Sequence, residues 1–178
     1  MKIINIFADQ IFAFQLDGNA EDEFHRNLNL WNDVEYLKNY FEKNKSFIIG
    51  NSFLNIGGIR DFIYQVSDNA QDLDEIIEMS FENGNLHEFF IVLNEKQPLH
   101  ETYSDVKAKQ KFLRLYGIKM EDDTFIITGG AIKITRSMQE HEDTQKELEK
   151  FEFCKQFLKE NDITNDEQLY EYLKINND

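Results

Sequence analysis

The chain has one cysteine, one proline and one tryptophan in 178 residues. A lone thiol, Cys154, cannot close an internal disulfide, and a reducing cytoplasm is the expected setting. No apolar run approaches the ~18 residues that a membrane span needs, so no membrane contact is expected. The first ten residues, MKIINIFADQ, carry one lysine and no long apolar core with a small-residue cleavage site, which predicts no signal peptide. Repeats and low-complexity tracts are also lacking. One domain over residues 1–178 is expected. Positive charge is scarce: 19 Lys and Arg stand against 34 Asp and Glu, for a net charge of −15. That excludes a surface that grips nucleic acid everywhere. His25, His87, His100 and His141 are not spaced as metal ligands, so neither metal nor cofactor is expected. Gly50, Gly57 and Gly58 lack the Gly-Lys-Ser/Thr of a phosphate loop.

What is present is aromatic and apolar. Sixteen Phe, seven Tyr and 41% apolar residues suffice for one core. Residues 3–16 hold two short apolar runs parted near Asp9-Gln10 and predict two strands in a hairpin. Residues 20–44 predict two helical pieces. Phe24, Leu28 and Trp31 share one stripe, and Val34, Leu37 and Phe41 share the next, with Asn32-Asp33 as a cap between them. Residues 46–58 read as a loop. Residues 59–82 return to helical spacing, with a break expected near Ser67-Asp68-Asn69 and an end at Gly84. Phe89 to Leu93 is a continuous apolar run and predicts a buried strand. Pro98 falls in the loop that follows.

The stretch from Lys107 to Leu158 organises the rest. A lysine-rich lead-in over 104–111, helical or extended, precedes two strands, Phe112–Met120 and Phe125–Ile134. An acidic turn around Asp122-Asp123 joins them. Both strands are apolar on both faces over part of their length, as in the middle of a sheet. Gly129-Gly130 predicts a bulge, or a place where something approaches the backbone. Thr144 to Glu147 reads as a capping box opening a helix whose buried stripe is Leu148, Phe151, Cys154 or Lys155, and Leu158. A second box, Thr164 to Glu167, opens a terminal helix with Leu169, Tyr172 and Leu173. The expected fold class is α+β: a mainly antiparallel sheet with N-terminal helices and C-terminal amphipathic helices.

Charge is uneven along this stretch. From Asp105 to Arg136, seven basic residues stand against four acids, so the segment is at +3 and the remainder at −18. Lysines along a strand edge also serve to discourage aggregation.

The element order and the residues of this sheet resemble the RelE/HigB-type toxins, in the phage-derived HigB-like branch. The resemblance spans residues 86–160. It rests on Arg114-Leu115-Tyr116, the acidic Glu121-Asp122-Asp123, Phe125-Ile126-Ile127-Thr128, then Gly130 to Arg136 and the helix with Glu147, Leu148 and Glu149. His87-Glu88-Phe89 stands where the family has a Trp-Glu-Leu-Arg strand. The chain departs from the pattern at Gly129, Ile134, Ser137, Met138 and Gln139. The resemblance implies a RelE/ParE-like fold, an RNA-cleaving endoribonuclease, an antitoxin protein as partner, and RNA or the ribosome as target. It points to Arg114, Lys133 and Arg136 as catalytic cations, with Tyr116, Lys111 and His141 beside them. Cleavage by 2′-OH attack needs a base, an acid and cations on the phosphorane, and the Arg fork suits phosphate.

Register decides whether these residues meet. With a turn symmetric about Asp122, Lys111 faces Lys133 and Arg114 points to the other face. With a bulge at Gly129-Gly130, Lys133 joins Arg114 and Tyr116. Two readings stay open: an RNA-cleaving toxin, and a non-catalytic protein-binding module on the same fold whose acidic helices form the partner surface.

Overall fold

A computed structural model describes residues 1–93, 104–120, 124–135 and 141–176. Pro98, the Glu121-Asp122-Asp123 turn, Arg136, Ser137, Met138 and Gln139 lie outside the described residues. Strands β1 (Lys2–Phe7) and β2 (Ile11–Gln15) form the expected antiparallel hairpin. Its tight turn puts Ala8 (φ 38°) and Asp9 (φ 60°) in the left-handed region, and the Gln10 N–H donates to the Phe7 carbonyl at 2.9 Å.

The predicted helical pieces follow as α1 (Glu23–Asn32) and α2 (Val34–Ile48). Asp22 caps α1 by accepting from the Phe24 and His25 amides. Asp33 caps α2 by accepting from the Tyr36 amide at 2.8 Å. Helix α3 (Ile59–Glu82) has no break at Ser67-Asp68-Asn69. The polar residues there are absorbed by bonds that favour a helix. Ser67 Oγ donates to the Trp31 carbonyl, and Asn69 Nδ2 donates back to the Gln65 carbonyl one turn earlier.

The buried strand expected at Phe89–Leu93 is absent as such. A short helix, α4 (Leu86–Phe89), leads to a two-residue strand, β3 (Ile91–Val92), whose side chains are 45% and 48% exposed. The apolar demand of this run is met by Phe90 instead, which is buried and stacks on Phe125 with ring centres 4.6 Å apart. The lysine-rich lead-in is extended, as β4 (Ser104–Gln110). The two organising strands are β5 (Leu113–Lys119) and β6 (Phe125–Ile132).

These six strands make one mixed sheet in the order β1-β2-β6-β5-β4-β3. β2 pairs with β6 in parallel, through Ile11 to Ala13 against Phe125 to Ile127, while the other pairings are antiparallel. β5 and β6 lie in the interior of the sheet, as their two-faced apolar pattern predicts.

Helices cover both faces. On one face Phe24, Trp31, Leu37, Phe41, Phe62, Val66 and Leu73 pack against Ile11, Val106, Leu113, Leu115 and Ile127. On the other face lie α5 (Glu142–Glu160) and α6 (Asp166–Asn176). There Phe151, Cys154, Leu158 and Leu169 meet Phe12, Phe14, Tyr116, Ile118 and Ile126. Burying one such Phe or Leu stabilises the fold by roughly 1.5–3 kcal/mol.

Both capping boxes are displaced. His141, not Thr144, caps α5: its Nδ1 accepts from the Asp143 amide, and Thr144 turns its hydroxyl back to the His141 carbonyl at 2.9 Å. At α6, Asn165 Oδ1 accepts from the Gln168 amide, and Gln168 Oε1 accepts from the Thr164 N–H and hydroxyl. Leu148 is only half-buried, so the apolar stripe of α5 begins at Phe151.

Candidate functional site

The face of the sheet beneath α5 gathers the basic residues. In β4 the side chains of Val106 and Ala108 enter the opposite core, so Lys107 and Lys109 stand on the α5 face. Across the ladder Lys107 is paired with Tyr116, and Lys109 with Arg114. On the other side of β5, Arg114 is opposite Ala131 and Tyr116 is opposite Gly129.

The register of β5 and β6 shifts between Tyr116 and Gly117, which face Gly129 and Ile127 respectively, so Thr128 is the extra residue. This bulge sits one position before the expected glycine pair and flips parity as the second register alternative requires. Ile132 and Ile134 both enter the first core, so Lys133 between them falls on the face of Arg114 and Tyr116. The Lys133 amide donates to the Phe112 carbonyl at 2.8 Å.

Gly129 and Gly130 are the points where both helical layers reach the strand. A Cβ on Gly129 would collide with Glu147 Oε2 and stand 2.5 Å from Lys150 Nζ. One on Gly130 would stand 2.9 Å from the Trp31 ring and 3.0 Å from the Arg114 carbonyl.

Arg114 is 5% exposed. Its Nη1 donates to the carbonyls of Lys111 and Leu113, each at 2.7 Å. Burial lowers its pKa from the ordinary value, with Tyr116 opposing. Lys107 is also lowered, first by burial and then by the neighbouring charges of Arg114 and Lys109. Among the described residues no carboxylate lies within ion-pair distance of Lys107, Lys109 or Arg114. Three cations thus share one patch of a chain whose net charge is −15.

The other residues singled out from the sequence lie differently. Tyr116 is 2% exposed, its hydroxyl has no hydrogen-bond partner among the described residues, and burial raises its pKa. Lys111 does not face Lys133. It occupies the tight β4–β5 turn with φ 46°, exposed to solvent. His141 is buried at the start of α5. Its Nδ1 accepts from Asp143, so Nε2 carries the proton and donates to Asn44 Oδ1 at 2.8 Å. Arg136 lies outside the described residues.

A second polar cluster, which the sequence reading did not foresee, borders this face. Glu23 is fully buried and accepts from Arg26 Nε and Nη2 at 2.8 Å each. Lys150 Nζ lies 2.6 Å from Glu23 and 2.8 Å from Glu147. It ties α5 to α1 beside Gly129. Burial is the main influence on Glu147 and raises its pKa. Burial also pushes the Cys154 thiol up to about 12, so it is an inert packing group. Among the described residues no group of three or more His, Cys, Asp or Glu side chains could hold a metal ion, and no helix is long and apolar enough to cross a membrane.

Lys107 and Lys109 were legible as part of the +3 segment. The alternation Val-Lys-Ala-Lys over 106–109 is a strand signal that puts both lysines on one face. Glu23 and Lys150 are 127 residues apart, and no local pattern joins them. Set against known proteins, the chain matches no family model, no curated protein and no solved structure.

Proposed function

We propose that this chain is related to the RelE/HigB-like toxins and holds RNA by its phosphates on the α5 face of the sheet, without cleaving it. One observation carries the reading: Lys109 stands directly across from Arg114, with Lys107 beside them and no described carboxylate to neutralise the group. Like charges at directly opposed strand positions destabilise a sheet unless an anion lies between them. Phosphate is an anion that the guanidinium fork fits, and a +3 segment in an acidic chain restricts contact to this strip.

Binding is favoured over cleavage because neither Tyr116 nor His141 is suited to take the proton. Burial raises the Tyr116 pKa, which suits it poorly as a base, and both ring nitrogens of His141 are engaged, Nδ1 in the α5 cap and Nε2 with Asn44. An antitoxin-like protein partner and a ribosomal target, which the resemblance implies, belong to the same proposal.

The test is a titration of single-stranded RNA at several salt concentrations, with the RNA recovered and sized afterwards. The expected result is salt-sensitive binding of intact RNA. Lys107→Ala or Lys109→Ala should each flatten the log–log salt slope by about 0.7. In the same proposal, induced expression leaves growth unaffected. Growth arrest relieved by Arg114→Ala, with an unchanged melting temperature, would instead make the chain a cleaving toxin. The −18 carried outside the strip favours a second reading, a protein-binding module with an acidic partner surface. Absence of RNA binding at low salt would select it.

A further inference from the structure

We propose that the N-terminal half of α5 is a lid, latched by ion pairs, over the Tyr116 side of the basic face, and that unlatching it enlarges the anion-binding surface. This rests on the RNA-binding reading for its ligand. The structural part stands on the two halves of one helix.

The C-terminal half is held by grease. Phe151, Cys154 and Leu158 are buried in the second core, and Phe157 meets Phe14 edge to face at 5.9 Å. The N-terminal half is held by polar contacts. His141 bonds to Asn44 at 2.8 Å, Glu142 lies 3.9 Å from Lys43, and Lys150 bridges Glu147 and Glu23. Its one large apolar side chain, Leu148, is only half-buried. Nothing apolar therefore anchors residues 142–150 as it anchors 151–160.

What lies beneath this half is incompletely satisfied. Among the described residues, Tyr116 Oη and Glu147 Oε2 are buried with no hydrogen-bond partner. Tyr116 is paired across the ladder with Gly129, where a side chain would collide with Glu147 and Lys150. Buried polar groups are nearly always paired, so each is a standing cost of the closed arrangement. Tilting the first half of α5 about its apolar second half relieves that cost. It also uncovers Tyr116, the ladder partner of Lys107.

The test uses the full chain and its single cysteine. Lys150→Met breaks the latch, and Glu147→Gln is a milder version that keeps the side-chain shape. Hydrogen exchange is followed across α5, maleimide labelling at Cys154, and binding with a labelled single-stranded RNA of mixed sequence. The expected result is amide exchange about tenfold faster over 142–150, unchanged exchange over 151–160, and an unreactive Cys154. RNA affinity should rise about fivefold in Lys150→Met, although a positive charge has been removed. Faster exchange along all of α5 in both variants, or no change in either, overturns the lid. So does local opening with RNA affinity equal to or below that of the wild type, provided that Lys109→Ala weakens wild-type binding. If Lys109→Ala leaves binding as it was, the RNA reading fails instead, and the exchange profile still decides the lid. Should Lys150→Met expose Cys154 by unfolding, the Glu147→Gln profile decides alone.

Discussion

Arg114 sets function against stability at a single position. A buried guanidinium with two backbone carbonyls and no described carboxylate is a cost that packing elsewhere must offset. Methionine fills a similar volume without the charge. Arg114→Met is therefore expected to stabilise the fold by on the order of 1 kcal/mol while weakening RNA binding. Thermal melts and RNA titrations on the same variant check this, and a lower melting temperature would show that the cation is structurally compensated. The Ala8-Asp9 turn offers a control far from the strip. Both residues have positive φ, which costs an L-residue roughly 1 kcal/mol. Ala8→Gly should recover about 0.5–1 kcal/mol in denaturant unfolding and leave RNA binding unchanged.

At the scale of the element, β6 and α5 show what the sequence could and could not convey. The glycine pair announced a close approach, and it occurs on both faces, from Trp31 on one side and Glu147 with Lys150 on the other. Gly130→Ala presses on a buried indole and a backbone carbonyl, so it should cost about 1–3 kcal/mol. Gly129→Ala meets only the ends of flexible chains and should cost less; equal losses in chemical denaturation would contradict this contact pattern. Strands β5 and β6, the β1–β2 hairpin and the α2 cap were legible because period-two and 3.6-residue patterns and an Asp at a helix start act locally. The caps of α5 and α6 were misplaced because several polar residues compete at each end, and tertiary contacts decide among them. His141 wins at α5 because Asn44 holds its other nitrogen. Glu147 is drawn away from capping by Lys150.

That same cluster has a pH signature. Burial raises Glu147 above its ordinary value of 4.5, so its contribution is fully present below that value and lost as pH rises through the higher folded one. Glu23 is also pushed up by burial, but Arg26 and Lys150 outweigh this and leave it lowered. Its contribution is present above 4.5 and lost as pH falls through the depressed folded value. As pH falls from neutral toward 4.5, wild type should therefore gain stability relative to Glu147→Gln, whereas below 4.5 both should weaken together. Melting curves of the pair across this range measure the difference, and parallel curves throughout would remove Glu147 from the balance.

At the scale of the whole molecule, the three layers rest on a pairing that no local feature announces. β2 was legible as a strand, and its apolar character on both faces fits an interior position. Its neighbour β6, however, begins 114 residues later, with Ile11 paired to Phe125. This parallel seam has a consequence for how the chain comes into being. A ribosome emits the β1–β2 hairpin well before β6, and one flank of β2 must wait for the 114 residues from Ile11 to Phe125 to follow. Closing so long a loop is slow, and until then an apolar strand edge stays open to other nascent chains. Chains halted anywhere before β6 should accumulate as aggregates, and refolding from denaturant should be limited by this one closure.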